Sequence, residues 1–370
     1  MTRVVVGMSG GVDSSLTAVL MRERGFDVVG VTMKLWPCAE LDGGFTREDA
    51  CCSPSETIDA RAVAVDAGVP HYVLDAEEVF RTQVVDDFVQ AYSRGETPNP
   101  CVRCNESVKF GDLWRYARSI GADAVSTGHY CRIHERDGRL CPGIAADPGK
   151  DQSYFLFSLS QEQLAHAHFP LGALSKDQVR AMAAERGLIT ADKRESQDIC
   201  FIGADGVAGF LRREAPEAFT PGPIELEDGR VLGRHDGLAA YTIGQRKGLG
   251  VAWHEPLYVV ALDLDRQAVV LGPRNATRVE HAVLRDCTWH LGPPRAAGGL
   301  RCLVRNRHRA PLRPATVHPK ADGGADVAYD APVGRPSPGQ ACVFYDLDGC
   351  LCLGGGWFIR SPVPADAARS

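Results

Sequence analysis

The chain has 370 residues, of which 44% are hydrophobic and 24% charged, enough for two or three globular domains. No apolar run approaches the ~18 residues of a membrane span, and the first residues already read as a strand rather than a signal peptide. A net charge of -6 excludes a protein that coats nucleic acid indiscriminately, and thirteen scattered cysteines exclude a disulfide scaffold and point to a reducing cytoplasm.

In chain order, strands are expected at 3–8, 27–33, 70–75 and 122–127, with helices at 14–24, 55–67, 77–92 and 105–119. That alternation predicts an α/β domain on a parallel sheet. Loops are expected at 37–54, which holds Cys38, Cys51 and Cys52, and at Thr97-Pro98-Asn99-Pro100, where two prolines exclude helix. A third loop is expected from about 138 to 153. Helices return at 161–167 and 175–187, the second opening on Ser175-Lys176-Asp177-Gln178, a capping box. A short helix at 206–216 comes next, then a hairpin from 258–262 and 268–272. From 281 to 360 short strands and turns alternate as in a small β-barrel, and 365–370 reads as a frayed tail. These changes of texture divide the chain at 1–205, 206–278 and 279–365.

The segment from Val4 to Ser15 carries the strongest signal. A β-branched run (Val4, Val5, Val6) ends in a glycine-serine turn, and an apolar helical pattern (Leu16, Val19, Leu20) begins at once. Gly10 and Gly11 let the backbone approach an anion, and the amides of the loop and first helical turn point at one spot that the helix dipole also favours for negative charge. A Walker A loop needs Lys followed by Ser or Thr, and here Asp13 takes the centre. A carboxylate beside phosphates implies a metal ion between them.

Cys101-Val102-Arg103-Cys104 comes directly after the stiff Pro-Asn-Pro loop. A lone C-x-x-C fits half a zinc site, a redox pair or iron–sulfur ligation, and no second C-x-x-C exists. Arg103 and a helix starting near Asn105 favour the Cys104 thiolate. Cys350 and Cys352 read as packing residues on one strand face, and Cys131, Cys141, Cys287, Cys302 and Cys342 as buried small hydrophobes. Cys200, where polar residues lead into the apolar run Ile199 to Ile202, suits the rim of a pocket, although taken alone it reads as a core cysteine. Between Cys287 and Ala321 there is no Asp or Glu, whereas Arg295, Arg301, Arg305, Arg307, Arg309, Arg313 and Lys320 all fall there. That stretch reads either as a phosphate footprint or as a solvated strand surface.

Several segments taken together resemble the tRNA-specific 2-thiouridylase family, a branch of the PP-loop ATP pyrophosphatases. They are Gly7 to Ser14, Thr97 to Asn105, Thr127-Gly128-His129-Tyr130, Lys150 to Leu156, Asp198 to Gly203, Gly244 to Gly250, Pro338 to Ala341 and Leu353 to Gly356. The resemblance implies a PP-loop parallel sheet, a small central domain and a C-terminal β-barrel that contacts tRNA. It implies ATP-dependent 2-thiolation of the wobble uridine. ATP would be held by Gly7, Met8, Ser9, Gly10, Gly11, Val12, Asp13 and Ser14 with Mg2+, and its adenosine by Met33 and Gly128. The cysteine at 200 would carry a persulfide to C2 of uracil, and Cys104 would release the product. Asn99, Pro100 and Cys101 would meet the flipped base. Lys150, Asp151, Gln152, His129, Gln340, Arg307 and His308 match tRNA-contacting positions, with His308 standing where the family has Tyr. Cys101 stands where many members have Asp, which opens a second scheme with a [4Fe-4S] cluster on Cys101, Cys104 and Cys200. The implied partners are the anticodon region of tRNA and a sulfur donor, a cysteine desulfurase or relay protein, in the cytoplasm. Two rivals stay open. Another PP-loop ligase leaves the cysteines without a task, and an RNA-binding protein with a structural metal at Cys101 and Cys104 leaves the loop without one.

Overall fold

The computed structural model describes residues 1–36, 54–194, 199–294 and 298–360. Cys38, Cys51 and Cys52, residues 195–198, Arg295 and the C-terminal tail lie outside the described residues. The chain divides into two compact units, Met1–Asp86 with Pro100–Ala204 and Asp348–Leu353, and Asp87–Asn99 with Asp205–Leu347 and Gly354–Ser370.

The first unit begins with β1 (Arg3–Gly7), α1 (Val12–Glu23), β2 (Asp27–Lys34), α2 (Pro54–Asp66) and β3 (His71–Asp75). Helices α3 (Glu77–Phe80), α5 (Pro100–Arg103) and α6 (Leu113–Ser119) precede β4 (Ala124–Ser126), while α4 (Asp86–Ser93), between α3 and α5 in the chain, belongs to the second unit from Asp87 onward. Then come β5 (Arg132–Arg136), β6 (Arg139–Gly143), α7 (Gln161–Ala165), β7 (Ala167–His168) and α8 (Lys176–Glu185). Five strands form one sheet in the order β3-β2-β1-β4-β7, parallel throughout. Val4, Val5 and Val6 are fully buried, because helices cover both faces of a parallel sheet. The chain builds β2 and β3 on one side of β1 and then returns to β4 on the other. The sheet's switch point therefore lies at the carboxyl ends of β1 and β4, where open α/β sheets bind ligands.

Local expectations fail at three places here. Residues 139–143 are not loop, because β6 pairs antiparallel with β5. Pro100 opens a helix instead of excluding one, since the first helical residue needs no N–H donor. That helix runs from α5 through a nine-residue π-helical stretch, Cys104–Asp112, into α6. Cys104 therefore lies inside the helix rather than at its N-terminus, and no helix end at Asn105 stabilises its thiolate. A second π-helical stretch, Arg81–Val85, interrupts the helix expected over 77–92.

The second unit holds α9 (Gly206–Glu214) and a sheet of β8 (Gly222–Leu226), β9 (Val231–His235), β10 (Tyr258–Asp263) and β11 (Ala268–Gly272), ordered β10-β11-β8-β9. The expected hairpin is β10 with β11. Strands β12 (Arg278–Trp289), β13 (Leu300–Arg305), β14 (Arg313–Pro319), β15 (Ala325–Gly334), β16 (Ala341–Tyr345) and β17 (Cys352–Phe358) close a barrel in the order β12-β15-β14-β13-β16-β17. Alternate residues such as Cys302 with Val304, and Ala315 with Val317, are fully buried, as strands of a small filled barrel require. Cys131, Cys141 and Cys342 are buried too, but Cys287 is only partly so. Cys350 is exposed ahead of β17, so it shares no packing face with Cys352. The acid-free stretch is not acid-free in space: Asp330 of β15 pairs with Arg301, and Asp326 lies 3.9 Å from Lys320. No helix among the described residues is long and apolar enough to cross a membrane.

Candidate active site

The turn after β1 lines a cavity of about 340 Å³ with Gly7, Met8, Ser9, Asp13 and Ser14. Met33, Gly128, Pro100, Cys101, Cys104 and Cys200 line the same cavity. A second cavity of about 210 Å³ shares Ser9, Asp13 and Ser14 and adds Gly11, Val12, Lys150 and Arg194. Two glycines are sterically required. Gly10 has φ of 76°, and a Cβ there would lie 2.2 Å from the Glu56 carbonyl oxygen. A Cβ on Gly128 would lie 2.9 Å from the backbone of Asp13 and Ser14, so only glycine lets this turn pack against the loop. The Ser14 hydroxyl accepts from the Ser9 amide and donates to the Gly11 carbonyl, each at 3.1 Å, which closes the loop on itself. Gly11 caps α1 without a side-chain acceptor, leaving first-turn amides for an anion.

Asp13 has partners that the sequence did not announce. The Lys176 ammonium donates to both of its carboxylate oxygens, at 2.8 and 2.9 Å, and the Tyr130 hydroxyl donates to Oδ1 at 2.7 Å. Lys176 is 7% exposed and opens α8, whose capping box with Ser175 and Gln178 is formed as its sequence predicts. The cap fixes the backbone, and the buried stem carries the charge 163 residues along the chain to Asp13. Lys193 likewise donates to the Gly10 carbonyl at 3.2 Å while pairing with Glu56 at 2.8 Å and with Asp59, tying the approach to Cys200 onto the loop.

An oxygen of a carboxylate has two acceptor positions. Oδ2 of Asp13 uses one on Lys176, so the residue fits a Mg2+ that arrives on nucleotide phosphates and takes one protein carboxylate. The iron–sulfur scheme fits less well. Among the described residues no group of three or more His, Cys, Asp or Glu side chains is placed to hold a metal, although Cys101, Cys104 and Cys200 border one cavity.

The thiols are positioned by the π-helical stretch and by an aromatic anchor. Cys104 is buried, Cys200 partly buried and Cys101 exposed. Phe201, 3% exposed, packs edge-on against Phe80 with centroids 5.7 Å apart, which seats Cys200 at the cavity wall. Lys109 lines the cavity as well. Five residues of α-helix would set it about 140° from Cys104, and the wider i→i+5 turn closes that gap. Sequence patterns alone do not single out Lys109, Lys176, Tyr130 and Asn105. Only a non-α turn, or contacts between distant segments, brings them to the site.

The residues expected to meet tRNA divide. Pro100, Cys101, His129 and Gln152 line the larger cavity, and Lys150 and Gln152 the smaller. Asp151 is 4% exposed, and its carboxylate accepts from the Ala145 and Ser153 amides and the Ser153 hydroxyl, so it shapes its loop. In the second unit, Gln340 donates to the Thr97 carbonyl at 2.7 Å and braces the loop that carries Asn99. Arg307 is exposed and His308 partly buried in the turn between β13 and β14.

His129 is buried between the Phe110 and Phe169 rings, with Nδ1 2.8 Å from the Thr127 hydroxyl. Burial, reinforced by the charge of Lys109, holds its pKa well below the usual value, so the ring is neutral. Because the folded pKa lies below the unfolded one, the unfolded chain binds the extra proton and stability falls as pH drops below about 6.5. A ring that stays neutral contributes a loss of up to about 1.4 kcal/mol per pH unit. Urea midpoints from about pH 7.5 to about pH 5.5 are expected to fall more for the wild type than for His129→Asn, with the remaining slope from His71, His168 and His235, which burial depresses in the same direction. Equal slopes would show that His129 titrates normally.

A glycine-serine loop at the switch point of a parallel sheet, with thiols in the same cavity, defines a PP-loop nucleotide domain, succeeded in the chain by two β-structured domains. Residues 2–204 match the family model described as tRNA methyl transferase HUP domain, 208–273 the tRNA methyl transferase PRC-barrel domain, and 279–358 the aminomethyltransferase beta-barrel domain. The tRNA-specific 2-thiouridylase MnmA of Rhodospirillum centenum is 47% identical, over 99% of this chain and 94% of the relative. That of Magnetococcus marinus is 45% identical over 96% and 99%, and that of Rhodopseudomonas palustris strain HaA2 48% over 100% and 93%. The chain belongs to the tRNA-specific 2-thiouridylase family.

Proposed function

We propose that the protein uses ATP to replace O2 of the wobble uridine of tRNA by sulfur. The observation that carries this reading is the single cavity bordered by both the phosphate loop and the cysteines 101, 104 and 200. Uracil O2 attacks the α-phosphorus of ATP held by Gly7 to Ser14, and pyrophosphate leaves. Adenylation is needed because oxide is a poor leaving group, whereas the oxygen departs easily within AMP. Mg2+, when bound beside Asp13, supplies charge neutralisation at the phosphates. Met33 and Gly128 face the adenosine.

The terminal sulfur of a Cys200 persulfide then attacks C2, and AMP leaves with the oxygen. The Cys104 thiolate attacks the Cys200 sulfur, breaking its bond to the transferred atom. The thiouridine is released, a Cys104–Cys200 disulfide forms, and a two-electron reductant restores both thiols. The persulfide comes from a cysteine desulfurase or relay protein in the cytoplasm. Asn99, Pro100 and Cys101 meet the flipped base beside His129 and Gln152. Lys150, Arg307 and His308 position the RNA backbone, while Asp151 and Gln340 act through the loops they hold. The test is one reaction containing enzyme, persulfide donor, ATP and tRNA, assayed for AMP and for 2-thiouridine. Both are expected only when tRNA is present, and AMP formation indifferent to tRNA would point to a different PP-loop ligase.

A further inference from the structure

Asn105 comes directly after Cys104 in the π-helical stretch, lines the larger cavity and is 2% exposed. Its amide nitrogen donates to the Phe155 carbonyl at 3.1 Å, which fixes the orientation of the amide. The other atom, Oδ1, is buried and finds no donor among the described residues. A buried acceptor without a donor is destabilising, and such atoms are rare enough in native proteins to need a reason. Asn105 lines the cavity, so a ligand there carrying an N–H group can supply the donor that the described residues do not.

The reaction proposed above brings two such groups, the adenine amino group and uracil N3–H. N3 is bonded to C2, the atom that receives sulfur. Asn105 adjoins Cys104, whose thiol must work within bonding reach of that sulfur, whereas Met33 and Gly128 mark the adenosine end. We propose that Asn105 Oδ1 accepts a hydrogen bond from N3–H of the target uracil and makes the cavity selective for uridine over cytidine. Cytosine presents a lone pair at N3, so acceptor would face acceptor, and a site built to bind an N–H rejects a base without one far more strongly than a shape mismatch does. The inference rests on the sulfur-transfer reading.

The test compares wild type, Asn105→Leu and Asn105→Asp on tRNA transcripts with uridine or cytidine at the target position, alongside the affinity for a non-cleavable ATP analogue. Asn105→Leu is expected to lower kcat/KM on the uridine transcript about a hundredfold and to shrink the uridine-to-cytidine ratio at least tenfold. The affinity for the ATP analogue should stay within about twofold. Asn105→Asp, which keeps the acceptor and loses the bond to Phe155, should retain the uridine preference even if it is less stable, and it carries the test if the leucine variant does not fold. Weakened analogue binding with an unchanged ratio would assign the acceptor to adenine and overturn the proposal, as would no change in either. A wild type that thiolates neither transcript would overturn the sulfur-transfer reading itself, and the ATP-analogue arm would still show whether Asn105 serves adenine.

Discussion

Replacing Cys200 by serine is expected to cut 2-thiouridine formation at least ~1,000-fold while tRNA-dependent release of pyrophosphate in the adenylation step continues, because a serine oxygen carries no sulfane sulfur to C2. Cys104→Ser should behave differently. Sulfur still reaches C2, but the product stays joined to Cys200, so AMP appears in a single burst and tRNA remains covalently attached. Gel analysis of the protein–tRNA adduct with and without reductant distinguishes the two variants. If Cys200→Ser thiolates at the wild-type rate, the nucleophile is misassigned. The different surroundings of the thiols support this division. Cys104 is buried within a continuous helix, while Cys200 is partly buried on a short turn held by Phe201, as a sulfur loaded from outside requires.

Asp13→Ala is expected to abolish AMP formation, again at least ~1,000-fold, and to leave tRNA affinity within about threefold. It should also destabilise the fold. The Lys176 ammonium, 7% exposed, would lose a carboxylate that accepts two of its hydrogen bonds. Breaking a fully buried pair costs about 3–5 kcal/mol, and the 29% exposure of the Asp13 side chain lowers this to about 2 kcal/mol. Adding Lys176→Met should recover much of that stability without restoring activity, since it removes the buried ammonium that has lost the Asp13 carboxylate. Thermal melts of the two single variants and the double variant check this coupling. Strict additivity would mean that the two side chains do not depend on each other, and tRNA affinity lost with Asp13 would give the carboxylate a structural role instead.

Much of this architecture is legible in the sequence where the signal is local. The Val4–Val6 run, the turn at Gly10 and the helix beginning at Val12 are contiguous, and the closed barrel announces itself through short strands and turns. The capping box at Ser175 is likewise a four-residue pattern. The parts that stay hidden depend on contacts between distant segments or on unusual backbone. Nothing near Lys176 says that its ammonium meets Asp13. The neutralisation of Arg301 by Asp330 depends on how the barrel strands pair. The π-helical stretch from Cys104 to Asp112 has no sequence rule comparable to α-periodicity, so Lys109 and Asn105 read as ordinary helix residues. The prolines around Asn99 mark a boundary correctly, but whether Pro100 ends a loop or begins a helix is decided by the residues from Cys101 onward.

The most direct measurement is a single turnover on uridine tRNA with persulfide-loaded enzyme, ATP and no reductant, with the cysteines then read by peptide mass spectrometry under non-reducing conditions. A Cys104–Cys200 disulfide should appear in proportion to 2-thiouridine and AMP. Thiouridine formed while both cysteines remain thiols would contradict the account.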